Sequence, residues 1–408
     1  MKPYFGQARE RLGWGEDRWV SAVPTGRARS AHWVYNLEGR MKTRPAQRVA
    51  LRDHPGVNPE TLRSLGIPQA EVLDLASGLN RYGPPDSVLA AARAASLADY
   101  PDPTASAARA RIARELGCAP AAVVIGNGTA DLLWTCARVL LGPGTALLAI
   151  EPCYPELSTA ARQSGARVVR WRSVERTGHC VDLQQVGELM LLERPDVVGL
   201  CAPGSPTGSS VRFGELELLA ARFPDSYFVV DQTFLSLSDD HADLLRSPPA
   251  NVICVRSLSK PFGLPGVRAG YLLADPSLAE QLEASRPAFS ICAAAQAVAE
   301  AAAGERAFLE SCRLRLQADR ARLLELLDEL GLVYTPTVAP FALLRLERAS
   351  EVARELLERH HIAVHDATPY GLPDHLRISA PDAAGSLQLE AALVECTTRR
   401  QLDHGRES

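Results

Sequence analysis

The sequence has no cysteines paired at the C-x-x-C spacing. Its nine cysteines stand singly at Cys118, Cys136, Cys153, Cys180, Cys201, Cys254, Cys292, Cys312 and Cys396. This argues against the common zinc and vicinal-dithiol motifs, and the thiols read as reduced, mostly buried side chains. No metal is expected. No apolar run reaches the roughly 18 residues that a membrane-spanning helix needs, and Met1-Lys2-Pro3-Tyr4 lacks the apolar core of a secretory signal. The expected location is the cytoplasm, without a membrane partner. Internal repeats and low-complexity linkers are absent as well, and the Ala-rich pieces read as good helix formers.

What is present is 408 residues, 46% hydrophobic and 23% charged, enough for two domains sharing a large buried core. The net charge is −4, yet the first fifty residues carry ten Lys or Arg against Glu10, Glu16, Asp17 and Glu38, leaving about −10 for the remainder. A basic arm of this kind can touch nucleic acid. Its Trp14, Trp19, Trp33 and Tyr35 better suit packing on its own or a neighbouring subunit, so no nucleic-acid partner is expected.

From Glu71 onward, short β-branched runs alternate with longer amphipathic ones, the pattern of βαβ units around a parallel sheet. Strands are expected over 122–125, 146–150, 166–170, 197–201, 227–230, 252–255 and 269–273, with helices such as 129–140, 156–163 and 214–222 between them. After Arg286 comes a helical stretch, 293–330, broken near Gly304. A strand over 342–346, a helix over 350–360 and strands near 362–365 and 375–379 follow. The expected fold is α/β: a large domain with a mostly parallel seven-stranded sheet flanked by helices, plus a smaller α+β C-terminal domain. The expected division is an arm over 1–72, the large domain over 73–290 and the small domain over 291–408.

Ligands bind parallel sheets at the carboxyl ends of the strands, so the residues after each strand carry the chemistry. Gly126-Asn127-Gly128-Thr129-Ala130-Asp131 offers free N–H groups and a helix dipole to an anion, although glycine also serves such turns for geometry alone. Asp231 closes an apolar strand, where its charge needs a cationic partner, or it caps the following turn. Lys260, in Ser257-Leu258-Ser259-Lys260, sits among small and apolar residues that can lower its pKa, as an imine-forming amine requires. Ser257 and Arg268 flank it with a hydroxyl and a fixed charge suited to a phosphate dianion.

These blocks, with His54-Pro55-Gly56, Leu73-Asp74, Asn80-Arg81-Tyr82-Gly83-Pro84-Pro85, Tyr100-Pro101-Asp102-Pro103 and Gly371 to Ser379, resemble the fold-type-I pyridoxal-phosphate enzymes over about residues 54–380. The likeness is to the branch of histidinol-phosphate aminotransferase and threonine-phosphate decarboxylase. It implies that Lys260 holds pyridoxal 5'-phosphate as a Schiff base and that Asp231 pairs with the pyridine nitrogen. Gly128, Thr129, Ala130, Ser257 and Arg268 then hold the phosphate, and Tyr154 stacks on the ring. Tyr100 reaches the phosphate of a second subunit, which implies a homodimer, and Arg377 takes the carboxylate of an amino-acid substrate. Asn80 and His54 are further candidates for substrate contact.

Three positions depart from the family pattern. Ser205, in Ser205-Pro206-Thr207-Gly208, replaces an asparagine, and Phe234, in Asp231-Gln232-Thr233-Phe234, replaces a tyrosine. Both of the replaced groups donate to the cofactor's phenolic oxygen, so their loss predicts an imine that stays protonated at neutral pH. His365 stands where the family carries an arginine for a substrate phosphate, and neutral imidazole is a poorer phosphate clamp. The reading is an aminotransferase-like enzyme acting at the Cα of an L-amino acid. A decarboxylase or β-elimination lyase is the alternative, and a non-catalytic regulator on the same fold a remote one.

Overall fold

The structure, a computed structural model, describes residues 57–240 and 248–407. The first strand, β1 (Leu73–Asp74), is followed by the seven strands of the main sheet: β2 (Val123–Gly126), β3 (Ala146–Glu151), β4 (Arg167–Arg172), β5 (Val197–Cys201), β6 (Tyr227–Asp231), β7 (Val252–Ser257) and β8 (Gly270–Leu273). Their order across the sheet is β2-β8-β7-β6-β5-β3-β4. Strands β7, β6, β5, β3 and β4 pair in parallel, while β8 runs antiparallel to β7 and β2. The expected mostly parallel sheet is therefore present, with one reversed strand. β8 is reversed because the chain returns from β7 through a loop and not through a crossover helix.

The inner strands are buried and mostly apolar, with Asp231 closing β6 and Arg256 and Ser257 closing β7, since helices cover both faces of the sheet. Helices Gly128–Leu140, Glu156–Gln163, Leu183–Glu193 and Phe213–Arg222 make the crossovers. Their starts are chemically marked in places: Asp182 accepts from the main-chain N–H groups of Gln184 and Gln185 at the start of its helix. All the strands except β8 point their carboxyl ends to one edge, where Gly128, Tyr154, Asp231 and Lys260 follow.

The smaller C-terminal domain holds an antiparallel sheet in the order β12-β13-β10-β9, from β9 (Tyr334–Thr335), β10 (Phe341–Arg345), β12 (His365–Asp366) and β13 (His375–Ser379). The expected helical stretch is two helices, Ala293–Ala302 and Arg306–Glu329, parted at Gly304. The strand expected over 362–365 divides. β11 (Ile362–Ala363) pairs with β1 in parallel, and after Val364 the chain changes sheets to form β12. Leu75, just after β1, is buried in the core of Leu323, Leu344, Leu356 and Ile378. Among the described residues, no helix is long and apolar enough to cross a membrane, and no cluster of metal-ligating side chains is present.

Candidate active site

A cavity of about 320 Å³ opens at the common strand edge, with Lys260, Asp231, Ser205, Phe234, Arg268 and Arg377 in its wall. A second cavity, about 440 Å³, lies behind the Lys260 loop and shares Ser257, but it contains none of those six side chains. Position relative to the sheet and chemistry both favour the smaller one.

Lys260 Nζ donates to the Ser77 carbonyl at 2.6 Å, and the Lys260 main-chain N–H donates to Ser257 Oγ at 3.1 Å. Burial, helped by the charges of Arg377 and Arg268, pulls the ammonium down to about 8 against the opposing pull of Asp74 and Asp231. Asp231 is 6% exposed. Its Oδ1 accepts from the Thr233 N–H and hydroxyl, and no described residue donates to Oδ2. Burial raises the Asp231 pKa although the Thr233 hydrogen bonds and Lys260 oppose it. Such a carboxylate is stabilised by a cation placed against its free oxygen.

The glycine turn forms the opposite wall. Gly128 has φ +79°, and a β-carbon there would stand 2.6 Å from Arg268 Nη2, so the Arg268 guanidinium lies directly over the start of helix Gly128–Leu140. Arg268 Nη1 is anchored on the Pro265 carbonyl at 2.9 Å. Thr129 and Ala130 continue this wall, and the helix N-terminus adds unpaired N–H groups beside the fixed charge. Tyr154 also lines the cavity, its hydroxyl pKa raised by burial.

Arg377, on β13, is 1% exposed. Nη1 donates to Ser205 Oγ at 3.0 Å, and Nη2 donates to the Ala76 carbonyl. The guanidinium lies 4.9 Å from the Phe341 ring centroid and 5.7 Å from that of Phe234, which packs on Phe341. Nε is buried without a hydrogen-bond partner. Thus the guanidinium is clamped on one side and has hydrogen-bonding capacity left over.

Some expected residues lie elsewhere. Asn80 is buried outside the cavity: its Nδ2 donates to the Pro261 carbonyl at 2.8 Å, and its Oδ1 accepts from the Tyr82 N–H. These bonds brace the Lys260 loop, and Asn80 is not among the residues lining the cavity. His365 is buried with its ring edge-on to Tyr370 at 5.3 Å, and it does not line the cavity. Tyr100 is 85% exposed and rests on Phe289, with ring centroids 5.0 Å apart. His54 lies outside the described residues. Sequence reasoning missed Asp74 and Ser77. Asp74 Oδ1 accepts from the N–H groups of Ala76 and Ser77, and this turn presents the carbonyls that hold Arg377 and Lys260. The only signal was the motif Leu73-Asp74.

Residues 70–394 match the family model described as aminotransferase class I and II. The chain belongs to this aminotransferase family. Histidinol-phosphate aminotransferase 1 of Cupriavidus pinatubonensis is 31% identical over 349 residues, covering 82% of this chain and 92% of the relative. Among solved structures, the histidinol-phosphate aminotransferase of Sinorhizobium meliloti in complex with pyridoxal-5'-phosphate is 28% identical with a TM-score of 0.73, covering 83% of this chain and 94% of the other. The L-threonine-O-3-phosphate decarboxylase of Porphyromonas gingivalis is 25% identical with a TM-score of 0.64, covering 77% and 94%. The aminotransferase family thus accounts for the fold.

Proposed function

We propose that this aminotransferase binds pyridoxal 5'-phosphate in the 320 Å³ cavity and transfers the amino group of an L-amino acid whose side chain carries no phosphate. The carrying observation is the convergence of Lys260, Asp231 Oδ2 and the Gly128–Arg268 cradle on one cavity. The residues fit the cofactor at three separate points. The cradle suits its phosphate, the unpartnered oxygen of Asp231 its pyridinium, and the easily deprotonated Lys260 its aldehyde.

When bound, pyridoxal phosphate supplies an electron sink conjugated to the substrate Cα. Lys260, with its pKa lowered to about 8, can shed its proton near neutrality and then accept the Cα proton as a base. Arg377 orients the substrate by taking its carboxylate on the N–H groups that Ser205 and the Ala76 carbonyl leave free. Ser205 accepts from Arg377, so its own hydroxyl hydrogen remains available to the cofactor's phenolic oxygen. Phe234 can offer nothing to that oxygen and instead excludes water beside Arg377.

Among the described cavity residues, the cations are Lys260, Arg268 and Arg377. Cofactor aldehyde, cofactor phosphate and substrate carboxylate would engage all three, so among the described residues of the cavity no cation remains for a phosphate on the substrate. The exposed pair of Tyr100 and Phe289 supports a homodimer in which Tyr100 reaches the neighbouring site.

The test is a panel of L-amino acids plus histidinol phosphate, each with a 2-oxo acid acceptor, read by mass spectrometry. The expected result is conversion of an unphosphorylated amino acid to its 2-oxo acid with amination of the acceptor. Conversion of histidinol phosphate alone would overturn the substrate assignment. Release of carbon dioxide without 2-oxo acid would overturn the reaction in favour of decarboxylation.

A further inference from the structure

Two thiols meet beneath the cavity floor. β5 ends on Cys201, and Cys153 lies just past the end of β3, the neighbouring strand. Both line one small void with Tyr154, Leu157 and Asp231. Cys201 is buried and also lines the cofactor cavity, whereas Cys153 is half-buried. The two thiols thus lie side by side at the ends of adjacent parallel strands, facing the same void. Nothing in the amino-transfer chemistry uses either group.

We propose that Cys153 and Cys201 form an oxidisable pair, which a hydroperoxide converts to an intrachain disulfide that displaces Tyr154 and impairs the site. The modification chemistry stands on the thiol geometry alone. Only its effect on activity rests on the reading of the cavity as the cofactor site.

Cys153, the more accessible sulfur, reacts first. As its thiolate attacks the peroxide, an S–O bond forms and the O–O bond breaks, giving a sulfenic acid and one water once protons are exchanged. The Cys201 thiolate then attacks that sulfur. The S–S bond forms, the S–O bond breaks, and the departing hydroxide takes up the proton that Cys201 lost, leaving as a second water. Two thiols lose two electrons, and one hydroperoxide receives them; hydrogen peroxide yields two waters. The neighbouring Cys153 thiol, followed by burial, pushes the Cys201 thiol well above its ordinary range, so the second step accelerates toward alkaline pH. The new bond draws the Cys153–Tyr154 segment toward β5 and shifts Tyr154 in the cavity wall.

The test treats the full-length enzyme, with and without pyridoxal phosphate, with hydrogen peroxide. Alkylation, non-reducing digestion and tandem mass spectrometry then locate any linked cysteines. The expected result is a peptide pair joined through Cys153 and Cys201, loss of two of the nine titratable thiols, and loss of activity, all reversed by dithiothreitol. The link should persist in Cys180→Ser and vanish in Cys153→Ser. Peroxide that oxidises the exposed Cys180 and Cys292 without joining Cys153 to Cys201 would overturn the proposal, as would either thiol linking to a different cysteine. Because the link is read in wild-type protein by mass, it can fail or succeed independently of the cofactor reading.

Discussion

At the scale of single residues, Lys260 and Ser205 carry the sharpest expectations. Folded Lys260 releases its proton near pH 8, against the ordinary 10.5 when unfolded, so between these values the unfolded chain binds more protons than the folded one. Stability of the cofactor-free protein should therefore rise with pH across that window, by an amount of order a few kcal/mol, and Lys260→Ala should flatten the slope. Chemical denaturation at pH 8, 9 and 10 measures it, and an unchanged slope in the variant would remove Lys260 as its source. Ser205→Ala takes the acceptor from Arg377 Nη1 in a buried setting, costing about 1–3 kcal/mol of local order. The expected kinetic result is a KM raised about tenfold with a smaller change in kcat. The sequence shows Ser205 as a departure from a pattern. It does not show that the hydroxyl supports a guanidinium, since the partner lies 172 residues away.

At the scale of elements, the strand ends were legible and the supports behind them were not. Asp231 and Lys260 follow apolar runs whose burial is written in their composition, and the structure places both at the expected edge. Asn80 sits in an equally recognisable motif, yet its amide is spent on Pro261 and Tyr82, a distribution that only the closed loop reveals. The reversal of β8 was likewise hidden, because its residues look like those of any buried strand and only the return path decides its direction. The glycine turn makes a direct prediction. Gly128→Ala combines a positive φ with a close approach to Arg268, and should cost about 1–3 kcal/mol. Titration with pyridoxal phosphate should show weakened binding while the far-ultraviolet circular dichroism stays intact. Undiminished affinity would show that the cradle does not hold the phosphate.

At the scale of the whole molecule, the question is whether one chain completes its own site. Tyr100 is exposed and is not among the residues lining the cavity of its own chain, as suits a residue serving a neighbour. Mixing Lys260→Ala with Tyr100→Ala, each impaired alone, should restore activity, because a hybrid dimer carries one intact site. With random subunit exchange, recovery should reach about one quarter of wild type. Absence of recovery after demonstrated subunit exchange would place Tyr100 in its own chain's chemistry or in none. The change of pattern after Arg286 leads to the expectation of a smaller C-terminal domain, and the four-stranded antiparallel sheet belongs to such a domain. The partnership of Leu73–Asp74 with Ile362–Ala363 was not legible, because strands of two residues leave no periodicity to detect.

The turn after β1 has a stereochemical consequence. Ala76 and Ser77 are consecutive, and their carbonyls hold Arg377 and Lys260 respectively. Neighbouring peptide units stand about 3.8 Å apart, so the backbone acts as a ruler between the carboxylate grip and the amine. If Arg377 takes the substrate carboxylate as proposed, this fixed spacing limits how far that carboxylate can lie from the amine. Competition assays should then find β-alanine and other β-amino acids, with an added methylene between the two groups, excluded where their α-isomers bind.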